Sequence, residues 1–303
     1  MSDEELFALR QQDEQREFAA MRANKGVRIA GILFSFLSRI APPLAYRILN
    51  RMARKPRRFK PHPRERELLA TGKRVSFDTS FGKIAAWEWG EGPTVHMIHG
   101  WQGRGSQLAE IVAPVVAIGT RVLLWDGPAH GESEGEIASA PEFAQAILEV
   151  TAIDGQPWAV VAHSMGTISS TLASWKGYAP TRRVYIGTAH APLKPLRMLQ
   201  QVFGFTPPII DRFKKDLTEQ GGIAVSWDVV AAGGMPPGMA DPLLLIHDRG
   251  DREADVETAL AFHKVWPGAR LKLTNGLGHN GILRDPEVTS AVAEFLQEGL
   301  SER

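Results

Sequence analysis

The chain has 303 residues, of which 44% are hydrophobic and 23% charged, with a formal net charge of +1. That is enough for one large α/β domain or two small ones, in a composition ordinary for a folded globular protein. There is no cysteine, which excludes disulfides, thiolate-held metals and a cysteine nucleophile and fits a reducing cytoplasm.

The near-neutral total hides a skewed layout. Between Arg22 and Arg66 there are thirteen Lys and Arg against one acidic residue, Glu65. The opening segment, Met1 to Arg16, is charged and lacks the pattern of a secretory leader. The longest apolar run, Ile29 to Ser38, is half the length of about 20 residues that a spanning helix needs. Ile29, Ile32, Leu33, Phe36, Leu37 and Ile40 recur at three- and four-residue spacing and predict one apolar helical face. The basic stretch RMARKPRRFK at 51–60 follows. An apolar stripe beside a cationic cluster suits peripheral contact with an anionic membrane. Equally, the stripe suits packing on the rest of the chain or on a second subunit. Residues 1–70 read as an N-terminal helical extension, interrupted by Pro42-Pro43 and closed by the prolines at 56–63. The expected location is the cytoplasm or the inner face of its membrane.

From residue 73 short apolar runs alternate with helical segments. Strands are expected at 73–78, 83–89, 94–99, 121–125, 158–163, 183–187, 243–247 and 270–273. Helices are expected at 106–118, 141–153, 165–176, 256–265 and 287–297. This alternation predicts a mostly parallel sheet covered on both faces, with chemistry beyond the carboxyl ends of its strands. Gly100-Trp101, Asp126, Ser164, Asp251 and His279 all follow predicted strands closely.

Ala162-His163-Ser164-Met165-Gly166 joins a strand to a helix. A serine on so sharp a turn has its hydroxyl thrust clear of the sheet, and small residues two before and two after relieve backbone crowding. A serine hydroxyl needs a base within hydrogen-bond reach, and the base needs a third group to fix its tautomer. In this architecture the partners follow in the order Ser, Asp, His. His279, in Gly-Leu-Gly-His, is the expected base. Asp251, in His-Asp-Arg-Gly-Asp, is the expected orienting acid, with Asp248 as its competitor. The backbone N–H groups of Met165 and Trp101 are expected to face the oxyanion. The Trp101 ring, His163, Phe203 and Phe205 are candidates for the substrate pocket. Asp126 and His130, in Asp-Gly-Pro-Ala-His-Gly-Glu-Ser, read as loop holders. No paired metal-ligand spacing and no phosphate-binding loop is present, so neither a metal nor a nucleotide is expected; no other cofactor and no nucleic-acid partner is expected.

Together HGW at 99–101, DGPAHGES at 126–133, AHSMG at 162–166, HDRGD at 247–251 and GLGH at 276–279 resemble the α/β-hydrolase superfamily, and the whole chain is similar to a bacterial subgroup of serine hydrolases. The resemblance covers residues 73 to 300. It implies an α/β-hydrolase fold, with an eight-stranded, mostly parallel sheet flanked by helices and a cap inserted after the sixth strand. Residues 71–303 then form the hydrolase domain, with the cap at about 190–240. Ala162 departs from the usual first glycine of the turn, and Asp248 from a glycine common after the strand histidine.

The implied activity is cleavage of a carboxylic ester or related acyl bond through an acyl-enzyme on Ser164, with a small-molecule substrate. An acyltransferase would use the same three residues. A non-catalytic binding or membrane-surface protein on a hydrolase scaffold is the reading from a different class. Phe203, Phe205, Ile209 and Phe213 make the cap apolar, which favours apolar acyl groups unless they form the cap's own core.

Overall fold

The backbone pattern that places the site is a sheet buried on both faces. The computed structural model describes residues 3–189, 193–220 and 240–302. Eight strands run β1 (Lys73–Thr79), β2 (Gly82–Trp89), β3 (Thr94–Ile98), β4 (Arg121–Trp125), β5 (Ala159–His163), β6 (Arg182–Ile186), β7 (Leu243–Asp248) and β8 (Arg270–Thr274). Their order across the sheet is β1-β2-β4-β3-β5-β6-β7-β8. β1, β2 and β4 pair antiparallel, and the pairs from β4 through β8 are parallel. The expected α/β-hydrolase architecture, with its eight strands, is therefore present.

β5 explains why these strands read as continuous apolar runs. Val160 and Ala162 enter one core with Phe143, Ile147, Ile168 and Phe262. Ala159 and Val161 enter the other with Ile111, Val115, Val292 and Phe295. Successive side chains point to opposite faces, and both faces are covered, so neither parity can be polar. The covering helices are α5 (Ala109–Ala117) and the C-terminal Pro286–Ser301 on one side, and α6 (Ala140–Asp154), α7 (Met165–Ser174) and Val256–Val265 on the other.

Two compact units partition the chain, and their boundary differs from the sequence expectation. One holds the helices α1 (Asp3–Ala23), α2 (Lys25–Ile40) and α3 (Pro42–Arg54) together with α8 (Leu193–Gln201) and α9 (Pro207–Gln220). The other holds the sheet and begins at Lys55. The N-terminal helices thus share a unit with the described part of the segment expected as a cap. Of that cap, residues 190–192 and 221–239 lie outside the described residues. Residues 55–70, expected in the extension, belong with the sheet. Arg58 donates to the carbonyls of Gly131, Ser133 and Gly135. Glu65, on α4 (Pro63–Thr71), takes two hydrogen bonds from the Arg104 guanidinium and one from the Ser106 hydroxyl. These partners are far away in sequence, so the change of unit at residue 55 has no local signature.

Within the helical unit the joints are specific. Asn24 caps α2 by accepting from the N–H groups of Gly26 and Val27, which satisfies donors that have no intrahelical partner. Gly31 approaches the Val202 carbonyl so closely that a Cβ would lie 2.8 Å from it. Phe34 stacks on Phe205 with ring centroids 5.0 Å apart. Tyr46 hydrogen-bonds Asp216 and lies under the Arg212 guanidinium. Glu14 and Arg197 form a two-point ion pair at 2.7 and 2.8 Å.

Truncating Phe205 to alanine removes the ring that joins α2 to the segment after α8 and leaves a cavity, at a cost of about 3 kcal/mol. Amide hydrogen exchange should then accelerate in α2 and α9 while β3, β5 and β6 keep their protection. Equal acceleration in the sheet would contradict the division into two units.

Candidate active site

β5 delivers Ser164 to the carboxyl edge of the sheet, and the turn into α7 follows at once. Ser164 sits at φ 53, ψ −124, a conformation costing on the order of 1–3 kcal/mol for a residue with a Cβ. The surroundings enforce it. A Cβ on Gly166 would lie 2.7 and 2.8 Å from the carbonyl oxygens of Ile98 and His99, and one on Gly100 would lie 2.7 Å from the Ser164 Cβ. Glycine at these two positions lets the β3 and β5 ends close around the hydroxyl.

His279 arrives from the other side, on the short helical turn Gly278–Gly281 beyond β8. Its Nε2 is 2.9 Å from the Ser164 Oγ, and its Nδ1 is 2.6 Å from Asp251 Oδ2. Asp251 is an acceptor, so Nδ1 carries the proton and Nε2 accepts from the serine hydroxyl. The other oxygen, Asp251 Oδ1, accepts from the N–H groups of Glu253 and Ala254 at 2.8 and 2.9 Å. The carboxylate is thereby held on both oxygens.

Burial by itself would lower the His279 pKa. The hydrogen bond and charge of Asp251, with a contribution from Glu253, outweigh it and hold the imidazole above its ordinary value. Asp251 shows the mirror image. Burial would raise its pKa, but the contact with His279 and the two N–H donors hold it below the usual carboxylate value.

The sequence left Asp248 and Asp251 in competition, and the structure assigns them different partners. Asp248 Oδ2 accepts from the Thr274 hydroxyl at 2.8 Å and from the Leu277 N–H at 3.0 Å, while Oδ1 accepts from the Gly250 N–H. It ties β7 to the loop that carries His279 and makes no hydrogen bond to the ring. Burial would raise its pKa, and these donors hold it below the usual range. Only the parallel pairing of Asp248 with Thr274 across β7 and β8 brings the two together, and nothing in the linear sequence indicates that register.

His163 was expected in the substrate pocket. The structure instead buries it behind His279, with ring centroids 4.6 Å apart. Its Nε2–H donates to the His279 carbonyl at 3.0 Å. Burial, together with the nearby His279, pushes its pKa down to about 3, which keeps the ring neutral. Sequence reasoning also passed over Gly187, at φ 55, where a Cβ would lie 3.3 Å from both His163 Nε2 and His279 Nδ1. Phe205, another pocket candidate, is buried with its ring against Phe34 in the helical unit, and Phe203 is half-buried there. The packing assigns the Phe205 ring to that unit's core.

The loop at 100–103 is shaped by two neutral histidines. His99 Nε2 accepts from the Gly127 N–H and its Nδ1–H donates to the Gly100 carbonyl. His130 Nε2 accepts from the Gln102 N–H at 3.0 Å, and its Nδ1–H donates to the Pro128 carbonyl. Burial lowers both, His130 to about 4. Gln102 is held at φ 54. The Trp101 ring is half-buried and meets His130 edge-on at 5.3 Å. Asp126 anchors the neighbouring loop by accepting from the N–H groups of Gly105 and Glu132. Met165 is the first residue of α7, so its N–H has no acceptor within the helix.

Replacing Asp248 with alanine strips the partly buried Leu277 N–H and Thr274 hydroxyl of their acceptor. The expected loss is about 2 kcal/mol of stability, measurable by denaturant unfolding. An unchanged unfolding midpoint would mean that these bonds do not hold the loop.

Residues 97–292 match the model of the alpha/beta hydrolase family. No curated protein sequence matches the chain. Among solved structures it is similar to an esterase of Pyrococcus furiosus, at 19% identity and a TM-score of 0.61, covering 80% of this chain and 97% of that one. A putative lipase from Acinetobacter baumannii is 16% identical at a TM-score of 0.60, covering 79% and 95%. An esterase from a Rhodococcus species is 16% identical at a TM-score of 0.55, covering 76% and 99%. At such identities these likenesses speak for the fold. The family match spans most of the chain and runs from β3 to the last helix, taking in the Ser164 turn, Asp251 and His279: this chain belongs to the alpha/beta hydrolase family.

Proposed function

We propose that the protein is a serine hydrolase that cleaves a carboxylic ester through an acyl-enzyme on Ser164. The observation that carries this reading is the continuous hydrogen-bonded path from the Ser164 hydroxyl through both nitrogens of His279 to Asp251. The esterases and putative lipase of similar fold point to the same class of substrate.

In this reading His279 Nε2 takes the hydroxyl proton as Oγ attacks the ester carbonyl. The carbonyl oxygen becomes an oxyanion facing the N–H groups of Met165 and Trp101, each such donor contributing on the order of 3 kcal/mol to the transition state. The imidazolium, steadied by Asp251, then protonates the departing alcohol. Water enters, gives its proton to His279 and attacks the acyl carbonyl. Collapse of the second tetrahedral species releases the acid and returns the proton to Ser164. The roles of His163 and His130 are positional: one sets the backbone of His279, the other shapes the loop carrying the Trp101 N–H.

A fluorophosphonate probe should label Ser164 and release fluoride. Ser164→Ala should lose labelling and slow hydrolysis of short nitrophenyl esters by about five orders of magnitude or more. Folded wild-type protein that neither labels nor hydrolyses any ester in a chain-length series would defeat the proposal.

The base must be unprotonated to act, so activity should fall as pH drops through the His279 pKa. Because Asp251 raises that pKa, the acid limb of kcat/KM should lie above the ordinary histidine value of about 6.5. Asp251→Asn should shift the limb to lower pH and reduce kcat by about 10⁴-fold through loss of the correct tautomer. A limb that stays in place would show that Asp251 does not set the charge state of His279.

A further inference from the structure

Among the described residues, α2 packs through one of its two faces. Gly31, Phe34 and Ser38 turn inward, toward Val202, Phe205 and the buried side of the helical unit. Ile29, Ile32, Leu33, Phe36 and Ile40 form the opposite stripe and remain 48–65% exposed. Their spacing of three, four, seven and eleven residues places them on one side of the helix. Leu44, at the start of α3, prolongs the exposed apolar surface past the Pro42-Pro43 corner. Five large aliphatic or aromatic side chains in one exposed stripe form an apolar patch of the kind that marks an interaction site.

The charges around the stripe bear on what could cover it. Lys25 opens α2, and Arg28 and Arg39, eleven residues apart, share one flank of the stripe; all three are exposed. Arg47 and Arg51 are exposed on α3. No acidic residue occurs between positions 25 and 54. Pairing two copies of this stripe by a two-fold axis would set two such cationic segments side by side. α2 has 16 residues, about 24 Å of helix, too short to cross a bilayer, and among the described residues no helix is long and apolar enough to do so. A helix with an apolar face, a cationic flank and no anion of its own suits the headgroup region of an anionic membrane, where long basic side chains reach outward to phosphate.

We propose that α2 lies flat in the surface of an anionic lipid membrane, with Ile29, Ile32, Leu33, Phe36 and Ile40 inserted and Lys25, Arg28 and Arg39 at the level of the lipid phosphates. This stands independently of the chemistry at Ser164.

The experiment uses the full chain and vesicles of phosphatidylcholine with or without phosphatidylglycerol. Co-flotation should occur with the anionic vesicles and weaken as salt is raised. Ile32→Ser combined with Phe36→Ser should reduce the bound fraction at least tenfold, as should Arg28→Gln combined with Arg39→Gln. Circular dichroism melting of both double variants should match wild type, because all four side chains are exposed. The absence of cysteine allows a site-specific check. A polarity-sensitive fluorophore on Phe36→Cys should brighten with anionic vesicles, and one on Ser290→Cys, exposed on the C-terminal helix, should not. No flotation with phosphatidylglycerol vesicles would overturn the proposal, and so would equal flotation with phosphatidylcholine alone. A dimer in light scattering that the Ile32/Phe36 variant dissolves, with no vesicle binding, would assign the stripe to a second copy and overturn it as well.

Discussion

Everything at the site depends on one backbone constraint, the positive φ of Ser164. A serine in an ordinary strand or helix would point its hydroxyl along a covered face of the sheet. At φ 53 the chain reverses sharply, and the hydroxyl stands beyond the β5 end with α7 beginning beneath it. The strain is held by neighbours that leave no alternative. The carbonyls of Ile98 and His99 press on Gly166, and Gly100 lies against Ser164 itself. Those contacts exist because β3 and β5 are adjacent, parallel and in register from Val95 with Ala159 to Ile98 with Ala162. The central sheet therefore acts as the device that stores the strain.

The second organising feature is the set of buried histidines around that turn. His99, His130 and His163 are each buried, and each has its pKa lowered chiefly by burial. A neutral imidazole has one donor and one acceptor. His99 and His130 use both, bridging the 100–103 loop to the 127–130 loop. His163 uses its donor on the backbone of His279. His279, unlike these three, has its pKa raised by a carboxylate in contact. The same side chain thus serves two purposes within one site. Burial without an anion in contact makes a fixed neutral connector, and the contact with Asp251 holds the His279 imidazole above its ordinary value.

The helical unit follows a different logic. Its interior is built from contacts between chain segments some 170 residues apart, such as Phe34 with Phe205 and Tyr46 with Asp216. Its outward face on α2 is apolar and cationic together. Arg58 and Glu65, which follow in sequence, bond the loops of the sheet unit. A single basic stretch in the sequence is therefore divided between structural anchoring and exposed charge.

By itself the sequence determined the sheet and placed Ser164, Asp251 and His279 after its strands. Short runs of four to seven residues separated by helical segments leave few topologies, and small residues flanking Ser164 point to a tight strand-to-helix turn. These are local properties, legible in composition and spacing. Tertiary structure decided what no local pattern encodes: which carboxylate reaches His279, where His163 goes, and to which unit residues 55–70 and Phe205 belong. Asp248 and Asp251 are three residues apart and chemically identical. Only the pairing of β7 with β8, which occupies Asp248 with Thr274 and Leu277, leaves Asp251 to meet the imidazole. The exposed stripe on α2 has the same origin. Its periodicity is visible in the sequence, but whether an apolar face is covered depends on what the rest of the chain brings against it.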